Sequence, residues 1–302
     1  MIKIDLLLGI LELHGVKMAI YDCFTFHDEY DLLEIRLREH SEFVDYFVII
    51  ESEKTHQNNP KPLYYELNKN RYHSYKDKII HLVVPASEFD DNHDVNDLRQ
   101  HNYISTIKDR FQPEDIIMVG NADEILNKKI VNKNFFKFYL SLNRTIDFSL
   151  INCYWNFNTA YKVDRDICNE LNYLVQIGGI GISCIKANYY KNIQPKFNDS
   201  FSEFYRCTSP IPNKDENVLT LEGLGWHFSF LGSAERAFKK INSYGCSAFK
   251  HLTLEQLQFN RKEKKDPLSR YAYYNFYDYI PLESLPESVL DPKFKEYLDL
   301  EI

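Results

Sequence analysis

The sequence predicts an α/β fold with a mostly parallel central sheet flanked by helices. Three observations carry this. Short, continuous apolar runs recur through the first 120 residues, helical patterns alternate with them, and polar side chains gather just after each run. Residues 19–24 are apolar and rich in β-formers, so they read as the first strand. A polar connection, Thr25-Phe26-His27-Asp28-Glu29, follows, with Asp28 as the expected helix cap. Residues 30–40 then carry Leu33 and Leu37 at helical spacing. Residues 46–50 and 79–84 are two further strands, the second stopped by Pro85. The stretch 97–110 is helical, with Tyr103, Ile104 and Ile107 on one face, and 115–119 is a fourth buried strand.

Such alternation implies parallel pairing through right-handed crossovers, with ligands held at the carboxyl ends of the strands. The polar groups expected to converge there are Asp22 with the 25–29 loop, Glu51-Ser52, and Asn121-Ala122-Asp123-Glu124. The second half is less regular: a strand near 146–152, a Gly-rich turn at 178–181, a Pro/Asn-rich stretch at 191–217, and short helices wrapping the domain over 281–302. Three units are expected. Residues 1–17 form an N-terminal extension, because Met18-Ala19-Ile20-Tyr21 reads as a fresh start; 18–260 are the main domain; 261–302 are a helical tail packed on it.

A chain of 302 residues needs no disulfide scaffold, and its six cysteines show neither a CxxC pair nor zinc spacing. Free thiols in a reducing, cytoplasmic setting are expected. The net charge of −8 argues against a nucleic-acid-binding surface, and the short run Arg261-Lys262-Glu263-Lys264-Lys265 reads as a solvated face. The apolar run 6–13 is too short to span a membrane and lacks the flanks of a secretory signal. Aromatic residues make up 15% of the chain, which suits either core filling or stacking on sugar rings.

Two motifs could carry chemistry. Asp123 and Glu124, thrown off the end of a buried strand, could hold a hard divalent cation such as Mn²⁺ or Mg²⁺ against a diphosphate, although acids after a strand more often cap the next helix. In Gly223-Leu224-Gly225-Trp226-His227-Phe228-Ser229-Phe230-Leu231-Gly232, glycines bracket an aromatic strand, which suggests backbone approaching a ligand. His227 is either a core histidine or an imidazole that completes a metal site.

Several motifs in order resemble one family. They are Tyr21-Asp22-Cys23-Phe24-Thr25-Phe26 with Glu29, Asp31-Leu32-Leu33-Glu34-Ile35-Arg36-Leu37, Phe47-Val48-Ile49-Ile50-Glu51-Ser52, Thr55-His56, and Lys61-Pro62-Leu63-Tyr64-Tyr65. Asp115-Ile116-Ile117, Ala122-Asp123-Glu124-Ile125 and Gly225-Trp226-His227-Phe228-Ser229-Phe230-Leu231-Gly232 with Glu235 and Lys240-Ile241 continue the pattern. From about residue 18 to the late 240s the chain is similar to the β-1,4-N-acetylglucosaminyltransferases of glycosyltransferase family 17, which add the bisecting residue to N-glycans, and to their microbial relatives. The resemblance implies a nucleotide-sugar-binding domain of the GT-A type, a UDP-GlcNAc-like donor, a divalent metal, inversion at the anomeric carbon and a carbohydrate acceptor. Two positions depart from the family pattern: Asn121 replaces the first Asp of the metal motif, and Gly245-Cys246 stands where a Ser-His pair is common.

On this reading Asp123 and His227 hold the metal, Asn121 and Glu51 meet the ribose or uracil, and Asp22 belongs to the donor-binding set. Glu235 is the first choice for the base that deprotonates the acceptor and Glu124 the second. Two other classes stay open: a non-catalytic glycan-binding protein on a degenerate transferase fold, and a metal-dependent phosphoesterase.

Overall fold

The computed structural model describes residues 18–91, 93–142, 145–163, 180–186, 218–243, 249–268 and 274–300. The expected extension 1–17, the first half of the 178–181 turn and the 191–217 stretch lie outside these.

Four strands form a wholly parallel block in the order β3-β2-β1-β4: β1 (Ile20–Thr25), β2 (Tyr46–Ser52), β3 (Ile79–Val84) and β4 (Ile116–Asn121). β1, β2 and β4 are covered on both faces, which is why they read as continuous apolar runs, while β3 at the edge is half-buried. On one face Ile20, Phe24, Phe47 and Ile49 pack with Leu33 and Leu37 of α1 (Tyr30–His40). On the other, Tyr21, Cys23, Val48 and Ile50 pack with Ile104 and Phe111. The helix expected at 97–110 starts earlier, as α3 (His93–Asn102), and tightens into a 3-10 helix over Tyr103–Arg110. Asp28 does not cap α1: Glu29 holds the cap position with no side-chain cap bond, and Asp28 pairs instead with Lys239.

Beyond β4 the sheet turns mixed. β8 (Ile180–Lys186) lies antiparallel between β4 and β6 (Thr145–Trp155), and β7 (Thr159–Val163) follows β6. β9 (Val218–Leu231) runs parallel to β6 and antiparallel to the three-residue β5 (Glu124–Leu126). Three helices also belong to this half: α4 (Lys133–Leu142), α5 (Ala234–Ser243) and α6 (Leu254–Lys262). The tail departs from the helical segment expected over 261–302. α6 straddles the boundary placed at residue 260, and β10 (Tyr274–Tyr279) joins the main sheet beside β7. Tyr-Asn-Phe-Tyr-Asp-Tyr is an aromatic, β-favouring run that sheet pairing claims. The short helices that follow bury Leu285, Val289, Phe294 and Tyr297 against Trp226 and Phe228. Cys23, Cys153 and Cys184 are buried free thiols, and no helix among the described residues is long and apolar enough to cross a membrane.

Strand pleating corrects two sequence-based assignments. Side chains alternate between faces, so Asp22 lies on the α1 face with Ile20 and Phe24, and Glu51 lies there with Phe47 and Ile49. Both are fully buried. Glu51 accepts hydrogen bonds from the Tyr65 backbone N–H (3.2 Å) and contacts Lys61 (3.5 Å) and His81 (3.2 Å), so it anchors α2 (Tyr64–Asn68) rather than a nucleotide. Asp22 accepts from Arg36 Nη2 at Oδ1 (2.6 Å), and from Arg36 Nε (3.0 Å) and His40 Nδ1 (2.8 Å) at Oδ2. Its oxygens are therefore engaged inside the core.

Burial pushes the Asp22 carboxyl up, but Arg36 and His40 outweigh it and bring it down to about 2 from 3.8. Burial also pushes His40 below its ordinary value of 6.5, against the pull of Asp22. The two shifts act with the same sign: below 6.5 the unfolded chain protonates its histidine first, and below 3.8 its aspartate, so stability falls as the medium turns acid. Urea denaturation from pH 7 down to pH 2 should show this, Asp22 alone accounting for roughly 2 kcal/mol. Arg36→Met, which strands a buried carboxylate, is expected to cost about 3–5 kcal/mol at pH 7 in the same assay.

Candidate functional site

The carboxyl ends of β1, β2 and β4 open onto one cavity, as the strand order requires. Thr25, Ser52 and Asn121 line it, each at the end of its strand and on the face opposite Asp22 and Glu51. Lys54, His56 and Gln100 extend this polar end. Tyr154, Phe230 and Phe249 supply an aromatic end. There β6 and β9 slip register, and Trp155 (φ 67°) and Phe230 (φ 54°) both take left-handed backbone. Bulky side chains in that region mark local strain, which tends to concentrate at functional sites.

Asn121-Ala122-Asp123-Glu124 does not cap a helix. It forms the turn from β4 into β5, and α1 holds that turn from beneath. Arg36 Nη1 donates to the Asn121 carbonyl (2.6 Å) and to that of Glu124, while the Leu126 N–H donates to His40 Nε2 (2.9 Å). That last bond fixes the His40 tautomer, leaving Nδ1–H for Asp22. Inside the turn, Glu124 accepts from the Asn121 backbone N–H (2.8 Å) and from Asn121 Nδ2 (3.2 Å), and Thr25 Oγ1 donates to Asn121 Oδ1 (3.0 Å). Asn121 thus lines the cavity with its amide already committed within the turn.

β9 brings His227 to this turn. Glu124 and His227 are direct cross-strand partners, and the Phe228 N–H donates to the Asp123 carbonyl (2.8 Å). The approach is close. A Cβ on Gly225 would stand 2.4 Å from the Ile125 carbonyl oxygen, so this glycine admits a neighbouring strand rather than a ligand. Gly223, where β9 shifts register against β6, and Gly232, just past the end of β9, both take positive φ.

Asp123, Glu124 and His227 each offer a ligand atom within 4.8 Å of the others. Three further observations fit a divalent cation. Asp123 Oδ1 is buried and finds no hydrogen-bond donor, with His227 Nε2 standing off at 3.5 Å. His227 Nδ1 lies 3.1 Å from Asn152 Oδ1, an acceptor, which leaves Nε2 with its lone pair free for a metal. Two carboxylates and one imidazole form a donor set suited to Mn²⁺ or Mg²⁺. Burial pushes the Asp123 carboxyl up, but Lys240, which donates to Oδ2 at 2.7 Å, reverses this and holds it well below the usual range.

Glu235 lies elsewhere. It is exposed at the start of α5, accepts from Gln258 Nε2 (3.2 Å) and lines a separate cavity with Trp155 and Arg261. Hydrogen bonding, chiefly with Ser233, lowers its pKa, which makes it a weaker base. The sequence reading missed Asn152, and it left Lys240 open between a phosphate contact and an exposed helix face. For Lys240 a signal existed, since it follows buried Ala237 by three residues on α5. For Asn152 there was none, because only the β6–β9 pairing brings it beside His227.

The model of Glycosyltransferase family 17 matches residues 10–167, more than half of the chain. The chain belongs to glycosyltransferase family 17. This family member is therefore a glycosyltransferase, and the match takes in β1 to β7 together with the turn bearing Asp123. It also reaches back to residue 10, into the expected extension. No curated protein matches the chain. Among solved structures, Staphylococcus aureus TarS aligns at 8% identity over 82% of this chain and 42% of its own, with a TM-score of 0.40. Galactosyltransferase LgtC, solved with donor and acceptor sugar analogs, aligns at 9% identity over 67% and 73%, with a TM-score of 0.34. Helicobacter pylori mannose-6-phosphate isomerase aligns at 12% identity over 69% and 98%, with a TM-score of 0.39. Likeness this distant carries no weight for function.

The Asn152–His227 contact gives the arrangement a direct test. Asn152→Ala is expected to weaken Mn²⁺ binding by about 10–100-fold, as loss of a ligand's orienting partner does. His227→Ala should weaken it further while the thermal midpoint without metal stays near wild type. Titration of tryptophan fluorescence with Mn²⁺ reads both, since Trp226 adjoins the site.

Proposed function

We propose that this glycosyltransferase moves a sugar, N-acetylglucosamine first among candidates, from a UDP-sugar to a carbohydrate acceptor with inversion at the anomeric carbon. The observation that carries the reading is the Asp123–Glu124–His227 cluster at the carboxyl ends of the parallel strands, of which Asp123 and His227 line a cavity with one polar and one aromatic end. A bound Mn²⁺ or Mg²⁺ would stabilise the charge that gathers on the departing nucleoside diphosphate. Asp123, Glu124 and His227 would hold the cation. Lys54 and Lys240 add positive charge for phosphate. Flat faces of Tyr154, Phe230 and Phe249 suit a pyranose ring.

Inversion in one step needs a group to take the acceptor's proton as its oxygen bonds the anomeric carbon and the bond to phosphate breaks. Glu29 suits this role better than Glu235. Among the described acids lining the cavity, Asp123 serves the cation, and Asp97 lies 3.3 Å from His101 and 3.8 Å from His56. Glu124 is fully buried and lies behind the cavity lining, out of reach of an acceptor there. Glu29 accepts the His27 backbone N–H at Oε2 (3.1 Å), which leaves Oε1 turned towards Lys240 at 3.6 Å.

Purified protein incubated with Mn²⁺ and a panel of nucleotide sugars should release UDP from UDP-GlcNAc, and EDTA should stop it. Release of inorganic phosphate, or binding without turnover, would contradict the proposal. Glu29→Gln should lower transfer by about 10²–10⁴-fold with donor binding retained, while Glu235→Gln stays near wild type. The reverse pattern would return the base to Glu235.

A further inference from the structure

Lys240 projects from the last turn of α5 into the cluster described above. Its ammonium donates to Asp123 Oδ2 at 2.7 Å, stands 3.5 Å from Ser229 Oγ and 3.6 Å from Glu29 Oε1, and lies 5.4 Å from the centre of the Phe230 ring. The Asp123 side chain is only 5% exposed, whereas that of Lys240 is 29% exposed. The carboxylate is thus fixed, and its partner sits at the end of a flexible stem that reaches solvent.

We propose that Lys240 is a resident cation of the donor site, which neutralises Asp123 until a divalent ion arrives and then turns to the diphosphate. Asp123 has two oxygens. Lys240 holds one, and the other, without a donor, faces His227. A divalent ion drawn to this carboxylate meets a positive charge already on it, so the two compete for one buried anion. Displaced from Asp123, the ammonium stays in the cavity, where Lys54 is the other cationic side chain among the lining residues. A nucleoside diphosphate bound there brings the negative charge that Lys240 then lacks. Metal capture and diphosphate capture are coupled through one side chain. The proposal rests on the reading of Asp123 as a metal ligand.

Coupling of this kind has a signature that loss of packing does not produce. Lys240→Met keeps the stem and removes the charge. It should bind Mn²⁺ alone about tenfold more tightly than wild type, yet bind UDP in saturating Mn²⁺ about tenfold more weakly. Lys240→Gln should shift both affinities in the same directions, and Lys240→Arg, which keeps the charge, should stay near wild type in both. Isothermal titration with Mn²⁺ alone, then with UDP in Mn²⁺, gives the two affinities, and circular dichroism confirms that each variant is folded. Equal Mn²⁺ affinity in wild type, Lys240→Met and Lys240→Gln overturns the proposal, as does unchanged UDP affinity in those variants. Should wild type and both variants bind no Mn²⁺, with or without UDP, the metal reading itself falls and takes this proposal with it.

Discussion

A carboxylate in the middle of β1 has no access to water, and the geometry of the site follows from that constraint. Asp22 can stay ionised there only if positive charge and hydrogen bonds surround it. α1 supplies both from two residues four apart on one helical face, Arg36 and His40. Neither is used up by Asp22. The guanidinium still has a donor nitrogen for the carbonyls of Asn121 and Glu124, and the imidazole still has an acceptor nitrogen for the Leu126 N–H. Neutralising one buried charge therefore fixes the backbone on both sides of Asp123. The turn is held by groups that cannot drift without exposing an unpaired ion.

The same logic explains why Asn121 is compatible with an intact site. Its Nδ2 donates to Glu124 and its Oδ1 accepts from Thr25. An aspartate in its place would set a second carboxylate against Glu124 and would need a cation close by to relieve the repulsion. With an amide, the turn closes by itself, and the negative charge that faces the cavity from this turn is concentrated on Asp123. The electrostatic centre of the crevice is one residue further along the chain than a two-aspartate motif would put it.

The parallel block was legible in the sequence because strands buried on both faces write their burial into an unbroken apolar run. So was the crevice, since strand order alone brings Thr25, Ser52 and Asn121 together. What failed was the step from the end of a strand to a particular side chain. Asp22 and Glu51 lie on strands whose tips reach the cavity, yet both belong to the α1 face, and a one-residue change of parity separates a ligand-facing group from a core group. Asn152 was hidden for another reason: its neighbour His227 is 75 residues away, so only the folded pairing of β6 and β9 shows what it touches. Glu235 misled because it adjoins the Gly-Trp-His strand in sequence, whereas the strand ends at Leu231 and the helix opening at Ala234 carries the glutamate out to solvent.

The pairing of Glu124 with His227 has a further consequence. These residues face each other across two antiparallel strands, with Gly225 letting the backbones close up beside them. Opposed residues in such a ladder have their Cβ atoms about 4.5–5.5 Å apart, whatever the side chains are. The span across which this pair could grip an ion is therefore set by the peptide backbone itself, a gauge the chain inherits from covalent geometry. Core substitutions that tilt or shift β9 carry β5 with it, so the interval between the two side chains survives changes that would alter a site assembled from unconnected loops.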